Sequence, residues 1–165
     1  MLCLWSSSRL LGVACRGVST VGSQVVWRTL AHRPPFLLVD AVEEHEIGVA
    51  LRGVKHVVAS DVEDGAGAGV LSAAKTLEGA GQSACILVKH IDGLEDSLPV
   101  FAGFQNIVYH PNGKLPPLGS TVVYDIVLET IKGARFGLVS ATVTDAADPA
   151  TVYLSGQLQF GFLRT

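Results

Sequence analysis

A chain of 165 residues with 48% apolar and only 16% charged residues has material for one domain with a proper core and is too short for two comfortable ones. That composition excludes a disordered chain, and the net charge of −3 leaves no basic footprint for nucleic acid. No run of about 18 apolar residues offers a membrane span, and three cysteines, two of them near the N-terminus, exclude a disulfide framework and a cysteine-rich zinc site. Low charge beside high apolar content suggests that some surface is covered by a partner or by a second copy.

Residues 1–30 read as a leader rather than as fold. Arg9, Arg16, Arg28 and Arg33 are the only fixed charges before Asp40, and Ser6, Ser7, Ser8, Ser19 and Ser23 add a serine bias beside Leu2, Leu4, Trp5, Leu10 and Leu11. Arg-rich, Ser-rich and free of acids is the composition of an organellar transit peptide, so the expected destination is the mitochondrial matrix. The apolar core of a secretory signal would be cut short by Arg16. Processing is expected beside Arg16-Gly17-Val18 or nearer residue 30, and the folded domain over residues 31–165.

Pro34 and Pro35 forbid helix, so Phe36 to Val39 is predicted as a strand entering the core. Glu43 to Gly48 reads as a polar turn, and Val49 to Val58 as a second strand of fair alternation. Ser60 to Gly69 is acidic, then glycine-rich, a loop whose Asp61, Glu63 and Asp64 suit a helix N-terminus. The stretch from Gly65 to His90 alone has long helical periodicity. Val70, Ala73, Ala74, Leu77, Ala80, Gly81, Ala84 and Val88 form a stripe of mostly small residues, with Lys75, Glu78 and Gln82 on a second face. Cys85 reads as a small core residue of that helix.

After a polar loop, Leu98 to Val108 is an apolar strand, broken by Tyr109-His110-Pro111-Asn112-Gly113 and again by Pro116-Pro117-Leu118-Gly119-Ser120. Val122, Tyr124, Ile126 and Leu128 alternate with polar residues, and Lys132-Gly133 turns into Phe136 to Thr144. In the last strand Val152, Leu154, Leu158, Phe160 and Phe162 face one way, with Tyr153, Ser155, Gln157 and Gln159 opposite. Two strands, one long helix and four strands, without βαβ alternation, define an α+β protein with one antiparallel sheet.

The segment Ala31-His32-Arg33-Pro34-Pro35-Phe36-Leu37-Leu38-Val39-Asp40 resembles the opening motif P-H-R-x-P-F-L-L-V-D of the FabZ-type 3-hydroxyacyl-acyl-carrier-protein dehydratases. Leu77-Glu78-Gly79-Ala80-Gly81-Gln82-Ser83-Ala84 is similar to that family's L-E-A-M-A-Q-A helix, Phe101 to Asn106 to its next strand, and Pro116 to Gly119 to its P-G-D turn. The resemblance covers about residues 31–163 in the same order. It implies a hot-dog fold, a curved antiparallel sheet around one central helix, with two copies joining their sheets and sites lying between them. It also implies an acyl thioester on acyl carrier protein or coenzyme A as substrate, no metal or redox cofactor, and a homodimer or hetero-oligomer.

One departure stands out. The family carries a G-H-F-P histidine fourteen residues before its helix carboxylate, as the group that abstracts the proton beside the thioester carbonyl. Here Glu78 matches the carboxylate, but Asp64 stands fourteen positions earlier, and no histidine lies between His56 and His90. The candidate catalytic residues are therefore Glu78, as acid, and Asp64. The family's oxyanion donors are backbone N–H groups at the helix start, which here follows Gly69, so Gly69 and Gln82 are the candidate substrate-facing residues. Asp64 either caps the helix or, desolvated beside Glu78, acts as a base. Gln82 more often holds neighbouring backbone, Glu78 either faces Lys75 or serves the site, and His56 is the histidine placed to stand in for the missing one. The resemblance, with this departure, implies a dehydratase of 3-hydroxyacyl thioesters or a degenerate relative. The alternatives are a catalytically silent subunit of a larger mitochondrial assembly and a carboxylate-based thioesterase.

Overall fold

The computed structural model describes residues 21–62, 69–91, 93–94, 96–110, 114–133 and 135–164. The chain enters through a short helix α1 (Ser23–Thr29), then strands β1 (Ala41–Glu46) and β2 (Ala50–His56), the long helix α2 (Ala73–Lys89), and strands β3 (Ser97–Tyr109), β4 (Thr121–Lys132), β5 (Phe136–Asp145) and β6 (Val152–Arg164). All six strands belong to one antiparallel sheet in the order β1-β2-β4-β5-β6-β3. Helix α2 lies against the sheet, touching β2, β3, β4, β5 and β6. The expected α+β architecture, one sheet wrapped around one central helix, is present.

Helix α2 starts where Ser72 caps it, its Oγ accepting from the Lys75 N–H at 3.4 Å, and ends with Lys89 in the last turn, where a cation suits the carbonyl end. Its buried face comprises Thr76, Gly79, Ala80, Gln82, Ser83, Ala84, Ile86, Leu87 and Val88, while Ala74 is exposed. The small residues set the helix–sheet distance. A Cβ on Gly79 would overlap the Tyr124 hydroxyl of β4, and one on Gly53 of β2 would meet Ser83 Oγ at 2.8 Å. Leu87, Ile126, Leu154 and Leu158 fill the remaining core.

Three expectations change. Phe36 to Val39 is no strand: Leu37, Leu38 and Val39 are buried, but the Leu38 N–H and the Phe36 carbonyl bond to the Gln82 side chain, and sheet pairing begins at Asp40, whose N–H donates to Val54 O at 2.8 Å. Ala41–Glu46, expected mostly as a turn, is strand β1, and the turn falls at residues 47–49, where Gly48 has φ +71°. As an edge strand, β1 buries only Val42 and turns its acids to water, which hides its alternation. The long helix begins at Ala73 rather than in the glycine run, because residues 69–71 are clasped by the proline turn: Leu118 N–H to Gly69 O at 2.6 Å and Leu71 N–H to Pro116 O at 2.8 Å.

The domain also begins before residue 31. Gly22 pairs with Val42, and α1 with the residue after it buries Val25, Val26 and Leu30 in the core. Arg33 closes the end of α1, donating to Leu30 O at 2.8 Å and stacking 4.9 Å from the centre of the Trp27 ring. Residues 21–30 are thus part of the folded body, and a seven-residue helix is too short to announce itself by periodicity. The leader expectation for residues 1–20 lies outside the described residues.

A chain starting at residue 31 should unfold at lower denaturant than one starting at residue 21. Burying each of Val25, Val26 and Leu30 is worth about 1.5–3 kcal/mol, so a loss of several kcal/mol is expected in urea unfolding. Gly79→Ala should cost about 1–3 kcal/mol by overpacking against Tyr124, and adding Tyr124→Phe should recover part of that loss. Equal unfolding midpoints for the two would disprove the close contact.

Candidate functional site

Glu78 projects from the outer side of α2 with its side chain 53% exposed. Its Oε1 accepts a hydrogen bond from Gln82 Nε2 at 3.0 Å, the contact that an i, i+4 spacing on a helix allows. Gln82 is 2% exposed, and its carboxamide is shared with the entry segment: Nε2 donates to Phe36 O at 2.7 Å, and Oε1 accepts from the Leu38 N–H at 2.9 Å. One side chain therefore ties the segment before β1 to α2 and steadies the carboxylate. Because the entry segment turns over the helix, with Phe36 N–H bonded to Arg33 O at 2.9 Å, it carries His32 to Glu78, Nε2 to Oε1 at 3.5 Å.

Lys75 does not reach Glu78; its ammonium donates to Asp61 O at 2.8 Å. Ser72 occupies the N–H groups of Lys75 and Thr76, so those of Ala73 and Ala74 are the ones a ligand at the helix start would meet. Tyr109 of β3 reaches the same end, its hydroxyl 3.5 Å from Ala73 O. Gly69 lies in the clasp before the helix at φ +49°, a backbone conformation that favours glycine. Asp64 lies outside the described residues.

Beside the helix start lies an ionic cluster that the sequence did not announce. Buried Lys55 of β2 meets Asp61 Oδ2 at 2.9 Å and Asp40 Oδ1 at 3.2 Å, and Asp61 also accepts from the Val58 N–H at 3.0 Å. The fair alternation of β2 has its cause here: Gly53 and Lys55 are both buried. Burial, followed by the charges of Asp40 and Asp61, pushes the Tyr124 hydroxyl well above the ordinary phenol range, so it stays protonated. Burial likewise raises the Cys85 thiol to about 11, which leaves it without nucleophilic character at neutral pH.

His56, His90 and His45 are engaged elsewhere. His56 Nδ1 lies 2.7 Å from Thr121 Oγ1, and His90 Nδ1 lies 2.8 Å from Ile86 O with the His45 ring edge-on at 5.5 Å. His56, the histidine whose position could have let it replace the family one, thus faces Thr121, and the imidazole beside Glu78 is His32. The signal for it was present, since His32 belongs to the entry motif, but only a folded chain shows that this motif crosses the helix. A shallow cleft of about 580 Å³ opens elsewhere, lined by Glu44, Arg52, Asp125 and Thr142, with Arg52 bonded to Asp125 at 2.8 Å. It is a solvated ion-pair surface, and none of the Glu78 constellation lines it.

One antiparallel sheet wrapped around one long helix is the layout of the hot-dog fold, and comparison with solved structures agrees. The dehydratase heterocomplex ApeI:P from Xenorhabdus doucetiae superposes with a TM-score of 0.64 at 17% identity, covering 82% of this chain and 89% of that one. Zebra fish thioesterase superfamily member 2 gives 0.66 at 13% identity over 86% and 94% of the two chains. A hot-dog-like protein from Thermanaerovibrio acidaminovorans gives 0.56 at 21% identity over 73% and 85%. The chain has the hot-dog fold, shared with proteins described as dehydratases and as thioesterases. No family model matches the sequence.

Gln82→Leu should leave the Leu38 N–H and the Phe36 carbonyl unpaired in the interior, at about 1–3 kcal/mol each. Hydrogen exchange at the Leu38 amide is expected to accelerate markedly in this variant. Unchanged exchange would show that the carboxamide does not hold the entry segment.

Proposed function

We propose that this chain is a mitochondrial hot-dog enzyme that removes water from 3-hydroxyacyl thioesters carried on acyl carrier protein or coenzyme A. The observation that carries this reading is the Glu78 carboxylate, half exposed on α2 and held on one oxygen by Gln82, with the His32 imidazole 3.5 Å away. Glu78 in its acid form delivers a proton to the departing 3-hydroxyl as the bond to the β-carbon breaks. The N–H groups of Ala73 and Ala74 hold the oxygen of the enolate that develops when the α-proton leaves. Gln82 fixes where the carboxyl proton points.

The acyl chain needs an apolar track, and β3 supplies one. Phe101, Phe104, Val108 and Tyr109 remain 43–50% exposed on a thirteen-residue strand at the sheet edge. A long apolar edge is a liability in water unless it is covered, so the working form is a dimer whose sheets join along β3. The second subunit is a copy of this chain or a related chain, as the neighbour described as a heterocomplex illustrates for its own family.

The experiment is turnover of purified protein on 3-hydroxybutyryl- and longer 3-hydroxyacyl-coenzyme A, followed by enoyl thioester absorbance, with native mass measured alongside. Glu78→Gln is expected to lower kcat by about 10²–10⁴ without changing the fold. Thiol release from acyl-coenzyme A in place of enoyl product would replace this reading by the thioesterase one. No reaction of either kind, together with migration in a larger assembly, would make the chain a silent subunit.

A further inference from the structure

We infer that His32 is the base of this site: its Nε2 accepts the α-proton of the thioester, so that acid and base come from one chain, Glu78 on α2 and His32 on the segment that crosses it. This rests on the dehydratase reading above. It does not follow from the resemblance, which locates the family's histidine in the loop before the helix, where this chain has none.

Four observations carry it. His32 Nε2 lies 3.5 Å from Glu78 Oε1, close enough that a small rotation of either side chain makes a hydrogen bond. The carboxylate is positioned independently, by Gln82 from within the helix, so the pair is a built arrangement and not two freely moving surface chains. The backbone that carries His32 is pinned on both sides: Arg33 Nη1 donates to His32 O at 2.7 Å and to Leu30 O at 2.8 Å, and the Phe36 and Leu38 backbone is bonded to Gln82. The imidazole itself is 43% exposed, which leaves its ring accessible to a ligand beside α2. Among the described residues Glu78 from α2 faces it, and the Arg33 guanidinium next in the chain turns away to cover Trp27.

The step balances within the pair. Neutral His32 takes the α-proton on Nε2, and the electrons of that C–H bond pass into the enolate and then into the new carbon–carbon double bond. The bond from the β-carbon to oxygen breaks, its electron pair leaving on the hydroxyl, which takes the proton of the Glu78 carboxyl and departs as water. An imidazolium and a carboxylate remain side by side, and transfer of the proton from Nε2 to the Glu78 carboxylate restores the starting state without a further reagent.

The test uses the full chain and the crotonyl-/3-hydroxybutyryl-coenzyme A pair, read in both directions across pH. His32→Gln should lose about 10²–10³ in kcat with KM little changed, and should lose the limb of the pH–rate profile that reports the base. His56→Gln, altered at the ring that faces Thr121, should keep both limbs. In His32→Ala, added imidazole should restore part of the rate, which a merely structural role for His32 would not allow. Activity within about twofold of the parent in His32→Gln, with Glu78→Gln inactive, would overturn the inference while leaving the dehydratase reading in place. A parent chain that dehydrates nothing overturns both.

Discussion

The constraint on which this structure depends is the closeness of one helix to its sheet. Gly79 leaves room for the Tyr124 hydroxyl, and Gly53 leaves room for Ser83, so small residues on each side let the two surfaces meet. Ala80 and Ala84 are completely buried on the same face. Where the helix comes closest to the sheet, at Gly79, Ala80, Ser83 and Ala84, its residues are small. The groups that reach outward are the ones left to make a site. Gln82 and Glu78 occupy the border between those two regions, one buried and one in water, and the border is where the entry segment crosses.

That border is handled economically. The Gln82 carboxamide satisfies backbone groups that would otherwise be orphaned where the chain runs in before pairing with β2, and its remaining donor holds Glu78. Lys55 and its two carboxylates do similar work at the other end of the same segment, joining Asp40 just before β1 to Asp61 just before the loop that leads to α2. A buried ammonium needs such partners, since an unpaired charge there would cost far more than the ion pairs return. Tyr124 Oη and Ser83 Oγ, buried without a hydrogen-bond partner, show the cost of bringing helix and sheet so near. The framework around the carboxylate is therefore rigid in its polar contacts, while the carboxylate and imidazole stay open to water.

Much of this was legible in the chain. The single long helix, the alternating β4 and β6, and the absence of βαβ order each follow from periodicities that a sheet and a helix impose on their own residues. Glu78 was legible as a carboxylate on a small-residue helix. Strand β1 was not, because an edge strand needs only one buried residue and Glu43, Glu44 and Glu46 made it look like a turn. Helix α1 was not, because Arg28 and the serine-rich stretch before it matched a leader composition, while the burial of Val26 depends on β1 and α2 being in place. The pairing of His32 with Glu78 spans 46 residues of sequence, a separation over which no spacing rule operates.

The amino-acid sequence by itself determined the elements whose signal is local: which stretch is helix, which strands have an inner and an outer face, and which helix position bears a carboxylate. Local periodicity is enough for these because each residue's face is set by its neighbours in the chain. Only the tertiary structure decided what lies beside that carboxylate. Gln82 changed from a polar companion on an outer face to a buried clamp, Lys75 turned to Asp61, and His32 arrived from the chain entry. Such contacts are made by segments that cross in space, and the crossing is fixed by the sum of packing over the whole core rather than by any motif. Glu78 was thus visible as an acid from its own stretch of chain, and the fold gave it an imidazole for a neighbour.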